Sequence, residues 1–410
     1  MLFVAPSHPY VRDGGAALRL RPFVEAVASS GQAHLLCLGP RTEVVTAGAS
    51  PFAYAETAAF NPPGAAKRLT RSLLLGCPDL ALRSRSRRAA IALHRLLIQE
   101  SYDAIHLAGL QTAYLEGVIW STLLTSRGEA PEGSCRPAVI LDELNAEYEV
   151  HRRLAATGGV FASPLETAVS LVQYLLLRPY ERAAMSGADA VTCPAESDSR
   201  LLRALGAPAP IHVVPSGLNA GRYRQLPSPP DEPVALFVAD FSYRPNRQAA
   251  RWLLERVAPL VCQTVPAARF VLVGGGPVPP VRNVHSRRFE FTGYVDDVLP
   301  HLARAKVVLA PLLAGGGLKL KVVEGMAAGR PVVATSVGAE GVGAENGREI
   351  AVADGAVAFA DALAGLLSDT ARARRVGEAA RRHASARFDG AVVGARYLEI
   401  VESACRRLAR

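Results

Sequence analysis

The chain has 410 residues, half of them hydrophobic, a fifth charged and 6% aromatic. That length exceeds what one core holds and points to two or three domains, and the composition excludes disordered and fibrous chains. A net charge of +9 and a pI near 9.5 favour anionic ligands or surfaces. No aromatic-interleaved basic stripe or zinc-finger spacing supports nucleic acid.

From the N-terminus, Leu2–Ala5 reads as a strand and Leu18–Ser30 as a helix. The opening MLFVAPSHPY has only a short apolar run and lacks the basic start of a signal peptide. Strand patterns recur at His34–Leu38, Ala104–His106, Val139–Asp142, Ala190–Cys193 and His212–Val214, with a helical pattern at Arg85–Gln99. Ser170–Leu177 is the most apolar stretch; it falls short of the ~18 residues of a membrane span and reads as a packed helix. From Pro208 to Glu232 the chain is dense in Pro, Gly and Ser, as a linker is. Beyond it, strands at Val234–Val238, Arg269–Gly274, Val307–Ala310, Val332–Thr335 and Ile350–Val352 alternate with helices at Arg247–Gln263, Leu320–Ala328 and Val357–Leu367. Such alternation builds parallel sheets with helices on both faces, so two similar α/β domains with a cleft between them are expected. The arginine runs at 83–88 and 372–382 read as exposed faces or turns. Six cysteines, at 37, 77, 135, 193, 262 and 405, form no Cys-x-x-Cys pair and read as small buried hydrophobes in a reducing cytoplasm.

Chemistry concentrates where a strand should end and a helix begin. After Val307–Ala310 come Gly315, Gly316 and Gly317, then Leu318, Lys319 and Lys321. Glycines let backbone N–H groups approach a ligand, and a helix start carries about half a positive charge. With the two lysines this makes a candidate diphosphate cradle; a flexible turn with solvated lysines is the competing reading. Glu324 is placed either to pair with Lys321 or to accept hydrogen bonds from a ribose diol. The small residues that follow would let the helix press on the sheet.

The run PLLAGGGLKLKVVEGMAAGRPVVATSVGAEGV, Pro311–Val342, resembles the nucleotide-sugar signature of GT-B glycosyltransferases, specifically the retaining family 4 group. LDELNAEYE, HVVPSGLN, ADFSYRPNRQAARWLLERVAPLV and FTGYVDDVLPHLARAKVVLAPL agree with it in order and spacing. The resemblance implies a fold of two Rossmann-like domains facing a central cleft. Residues 1–217 would form the acceptor-side domain and 218–385 the nucleotide-sugar domain, with a helix at 386–410 returning to the first. It implies Glu324 as the ribose ligand, the second glutamate of a Glu-x7-Glu motif whose first member is replaced by Gly316. Tyr294 and Val295 match the base-holding loop. The family's phosphate-clamping pair gives way to ADFSYRPN, with Asp240 and Asn246 near the expected positions, a variant resembling a Gly-x-Gly-x-Lys-x-Lys subgroup. Lys319 or Lys321, with Arg244, would supply the lost charge.

In the first domain Gly14 and Gly15 follow the opening strand, where such a loop would cover the diphosphate. Arg19 would face the cleft or water. His106, at the end of its strand, reads equally as a sugar or acceptor contact or as a core histidine. Gly15, His106 and Lys321 are the candidate catalytic residues, and Asn145 and Glu147, near Asp142 and Glu143, the acceptor-side ones. No Asp-x-Asp occurs, and neither a metal nor a cofactor is expected. The reading is a retaining glycosyltransferase moving a sugar from a nucleotide-diphosphate donor to a small-molecule, lipid-linked or glycan acceptor in polysaccharide or natural-product assembly. A sugar-nucleotide epimerase of the same fold and a non-catalytic nucleotide-sugar-binding partner are the alternatives. The expected location is cytoplasmic, with a peripheral contact at the inner membrane face left open.

Overall fold

The computed structural model describes residues 1–11, 15–39, 50–125, 135–156, 163–277 and 288–409. It divides into two compact units, one of Met1–Glu149, Val172–Gly217 and Gly390–Arg410, the other of Val150–Leu171 and Leu218–Asp389.

Among the described residues the first unit holds seven parallel strands: β1 (Leu2–Ala5), β2 (His34–Cys37), β3 (Tyr54–Thr57), β4 (Ala104–Ala108), β5 (Ala138–Asp142), β6 (Ala190–Cys193) and β7 (Ile211–Val213). Their order is β3-β2-β1-β4-β5-β6-β7, so the direction of winding reverses between β1 and β4. β1, β4, β5 and β6 are buried along their whole length, which is why they read as continuous apolar runs. One apolar cluster gathers Leu93, Ile105, Leu141 and Leu177; another gathers Phe23, Leu35, Ile140 and Tyr397. The helices Gly15–Ser30 and Gly390–Leu408 pack closely, and a side chain at Gly394 would come within 2.7 Å of the Pro22 carbonyl.

The second unit holds β8 (Val234–Val238), β9 (Arg269–Val273), β10 (Phe289–Phe291), β11 (Val307–Ala310), β12 (Val332–Ala334) and β13 (Ala351–Val352), again all parallel. The order is β10-β9-β8-β11-β12-β13, with the reversal between β8 and β11. In open α/β sheets such a reversal leaves a crevice outside the carboxyl ends of the two strands.

Several expectations are corrected. The single helix foreseen over Arg247–Gln263 is two, Arg244–Trp252 and Ala258–Thr264, joined by a π turn at Leu253–Val257. Pro259 has no N–H to continue the regular ladder there. The Pro-, Gly- and Ser-rich stretch contains β7 and a short helix, Gly221–Arg224. Only Cys37 and Cys193 are buried; Cys135 is exposed, and all six are free thiols. No helix among the described residues is long and apolar enough to cross a membrane.

Candidate active site

In the second unit, loops after β8 and β11 meet at the point where the winding reverses. The loop after β11 needs glycine at Gly315 and Gly317, whose φ angles of 138° and 67° are ones other residues rarely adopt. The helix Leu320–Ala327 then begins directly after Lys319. In the loop after β8, the Asp240 carboxylate accepts from the Ser242 N–H at 2.8 Å, and the helix Arg244–Trp252 follows. Asn246 ties the two together: its Nδ2 donates to the Asp240 carbonyl at 2.8 Å and its Oδ1 accepts from Lys321 Nζ at 2.9 Å.

The Lys321 ammonium lies 4.8 Å from the centroid of the Phe237 ring. The residue keeps some exposure along its length, but its charged end is enclosed. That burial, reinforced by the Lys319 charge and opposed by Glu324 and Asp240, pushes the pKa down to about 7. A cation held at the edge of losing its proton gains strongly from a nearby anion.

Lys319 is engaged differently. Its buried Nζ donates to the Gly317 carbonyl at 2.8 Å and lies 3.5 Å from Glu340. Arg153 donates to the Gly315 carbonyl at 2.9 Å and to the same Glu340 carboxylate at 2.7 Å. Lys319 and Arg153 therefore brace the glycine loop on Glu340, with Gly316 and Leu318 partly exposed between. One turn along, Glu324 Oε1 accepts from Tyr223 Oη at 2.8 Å. Tyr223 is buried and comes from the short Gly221–Arg224 helix. Gly325 lets the helix press on β11, since a Cβ there would lie 2.9 Å from Val308 Cγ1.

Tyr294 is exposed and Val295 partly buried, just after Gly293, whose carbonyl accepts from the Gly274 N–H at 2.9 Å. Arg244 is turned elsewhere: its Nη1 donates to the Glu166 carbonyl at 2.9 Å and to Ser170 Oγ at 2.6 Å, while its buried Nε and Nη2 have no partner. The structure thus gathers Lys321, Asn246 and Asp240 and leaves Arg244 apart from them. Tyr223, Arg153 and Glu340 were missed in sequence. Only Glu340 lay inside a motif that pointed here.

The first unit places its candidates in the core or on the surface. Gly14 lies outside the described residues, and Gly15 is the exposed first residue of the Gly15–Ser30 helix. His106 sits mid-strand in β4, not at its end, and is fully buried, with Nδ1 2.7 Å from Tyr397 Oη and Nε2 4.0 Å from Asp142. Burial lowers its pKa to about 4, so it is a neutral core histidine at neutral pH. Arg19 faces neither cleft nor water. It is buried, its Nε 2.9 Å from Asp142 Oδ2 and its Nη1 2.8 Å from the Val214 carbonyl.

Asn145 Nδ2 donates to Glu147 Oε1 at 2.8 Å, and the backbone N–H groups of Glu147 and Tyr148 donate to Glu181. Glu143 is fully buried with neither carboxyl oxygen hydrogen-bonded. Burial, then Glu181, Glu147, Asp142 and Glu116, hold its pKa far above the carboxylate range. Glu181 and Glu116, desolvated in the same way, are each raised to about 8. Among the described residues, no group of three His, Cys, Asp or Glu is placed to hold a metal.

Comparison with known proteins matches the second unit to a family model and both units to solved folds. Residues 232–369 match the family model Glycosyl transferases group 1. Over 265 residues the chain is 29% identical to the GDP-mannose-dependent alpha-(1-6)-phosphatidylinositol monomannoside mannosyltransferase of Mycobacterium tuberculosis, covering 58% of this chain and 67% of that protein. The phosphatidyl-myo-inositol mannosyltransferase of Mycobacterium leprae is 30% identical over 46% of this chain and 53% of its own. Sucrose-phosphate synthase from Thermosynechococcus elongatus shares the fold over 98% of both chains, with a TM-score of 0.70 at 18% identity. This chain is a GT-B glycosyltransferase. Anabaena HepE, solved with UDP and glucose, likewise matches this glycosyltransferase over 98% of its length and 99% of HepE, at a TM-score of 0.63 and 15% identity.

Proposed function

We propose that the enzyme transfers a sugar from a nucleoside-diphosphate donor to an acceptor hydroxyl, with retention at the anomeric carbon and without a metal, as a family 4 member of the Gly-x-Gly-x-Lys-x-Lys pattern. The supporting observation is Lys321, enclosed at the β8–β11 reversal with its pKa lowered to about 7 and held by Asn246. Such a group repays its burial when an anion arrives. The charge that grows on a departing diphosphate is what preorganised ammonium and backbone N–H groups stabilise. In this reading Gly315, Gly316 and Gly317 line the diphosphate, Glu324 takes the ribose diol, and Tyr294 and Val295 flank the base.

As the bond from the anomeric carbon to the diphosphate oxygen breaks, the acceptor oxygen bonds to that carbon. Its proton passes to the leaving phosphate, and no protein base is required. Lys319, braced on Gly317 and Glu340, fixes the loop while Lys321 meets the charge. Asn145 and Glu147 are assigned to the acceptor, and residues 1–217, 218–385 and 386–410 to the acceptor domain, the donor domain and a closing helix. The Mycobacterium tuberculosis relative is named for GDP-mannose and HepE was solved with UDP, so GDP- and UDP-sugars are the first donors to try. Gly316 in place of a sugar-binding glutamate implies a reassigned sugar contact. The proposed location is cytoplasmic.

Thermal-shift screening with GDP-, UDP- and dTDP-sugars should show a rise in melting temperature with the true donor. Product NMR should then show retained configuration and activity unaffected by chelator. An inverted anomer, or an epimerised donor formed without acceptor, would overturn this reading.

A further inference from the structure

The helix Ala65–Leu75 is built the wrong way round for a helix that only covers a core. Its buried residue is Ser72, whose Oγ donates to the Cys77 carbonyl and accepts from Gln173 Nε2 at 3.0 Å. The same Gln173 accepts from the Asp79 N–H at 2.7 Å, so the inner face is seated by hydrogen bonds. Its last three leucines are turned to solvent: Leu73 is 58% exposed, Leu74 79% and Leu75 64%. Three adjacent exposed leucines are a cost that a monomeric surface does not ordinarily carry without a use.

The charges around them are of one sign. Lys67, Arg71 and Leu74 fall at i, i+4 and i+7 and share the outward face, and both cations are exposed. Four arginines follow within residues 83–88, and the one carboxylate between positions 65 and 88 is Asp79. Asp79 is already paired with Arg68 at 2.9 Å and Arg83 at 2.8 Å. Residues 65–88 thus carry seven cations against one carboxylate, beside Leu74, the most exposed leucine among the described residues.

We propose that this helix docks the enzyme on an anionic lipid bilayer. The leucines enter the acyl boundary while Lys67, Arg71 and the 83–88 arginines meet the lipid phosphates. The pairing of apolar residues with surrounding cations selects this occupant. A nucleic acid would use the arginines and leave the leucines in water, and a second copy would bring the same positive charge against itself.

The test is sedimentation of the full chain with vesicles of phosphatidylcholine, with and without phosphatidylglycerol. The wild type should partition onto the phosphatidylglycerol vesicles, much less onto pure phosphatidylcholine, and should be released by high salt. Leu74→Asp with Leu75→Asp, and separately Lys67→Glu with Arg71→Glu, should each lower the partition coefficient about ten-fold or more at an unchanged melting temperature. The proposal is overturned if the wild type ignores anionic vesicles, binds both kinds equally, or partitions as its variants do. It is equally overturned if the leucine changes alter the sedimentation-velocity mass of the protein while vesicle binding persists, since the face would then join copies of the chain.

Discussion

Lys321 and Glu324 stand one helical turn apart and are held by different partners, which gives each its own test. In the proposed mechanism the Lys321 ammonium meets the charge on the leaving diphosphate, and its removal takes that stabilisation away. Lys321→Ala should lower kcat about 10²-fold or more, as loss of a preorganised donor does. Tyr223 donates to Glu324, so Tyr223→Phe should raise the donor KM about five-fold with little change in kcat, the loss of roughly 1 kcal/mol of hydrogen bonding. Glu324→Gln should act in the same direction and more strongly; a Tyr223→Phe enzyme with wild-type KM would show that the hydroxyl does not position the carboxylate. Both glycine-loop lysines and Glu324 stand in one short motif, which is why the sequence alone nominates them for the proposed site. Tyr223 was not legible, because a tyrosine in a Pro- and Gly-rich stretch has no periodicity to reveal a buried role. His106 was misplaced by two residues of strand: β4 runs on to Ala108, which turns a supposed strand end into a strand centre.

At the scale of elements, the two sheets set different sensitivities. Gly325 lies against Val308, and Gly325→Ala should destabilise the second unit by about 1–3 kcal/mol, read by denaturant unfolding. In the first unit, Asp142 gathers Arg19 and Thr192 in the core. Asp142→Ala leaves a buried guanidinium without its partner and should cost about 3–5 kcal/mol. Glu116 and Glu181 have folded pKa values of about 8 against an ordinary 4.5, so the folded state binds more protons than the unfolded one between those values. Their contribution to stability is full below pH 4.5 and is lost as pH rises to about 8. Chemical denaturation at pH 6 and pH 8 should show the loss, and Glu116→Gln should flatten it; a pH-independent difference would contradict the burial argument. The central strands were readable because burial on both faces leaves unbroken apolar runs. β3 and β10, at the sheet edges and partly exposed, carry no such run and escaped notice.

For the whole molecule, alternation of strands and helices was enough to read two parallel α/β sheets, and the Gly315–Val342 block enough to read a glycosyltransferase. The docking helix was illegible, since a leucine triplet beside cations looks the same in sequence whether it faces core or solvent. Centrally, the crevice between β8 and β11 is proposed to hold a nucleoside diphosphate through Lys321. Calorimetric titration of UDP and GDP into the wild type and Lys321→Ala tests this most directly. At least one nucleotide should bind the wild type with proton uptake near pH 7, because an anion raises a pKa that burial had lowered to about 7. Affinity should fall as pH rises above 7, and Lys321→Ala should weaken binding about ten-fold and abolish the uptake. Equal affinity of the two proteins, with no proton uptake by the wild type, would contradict the central claim.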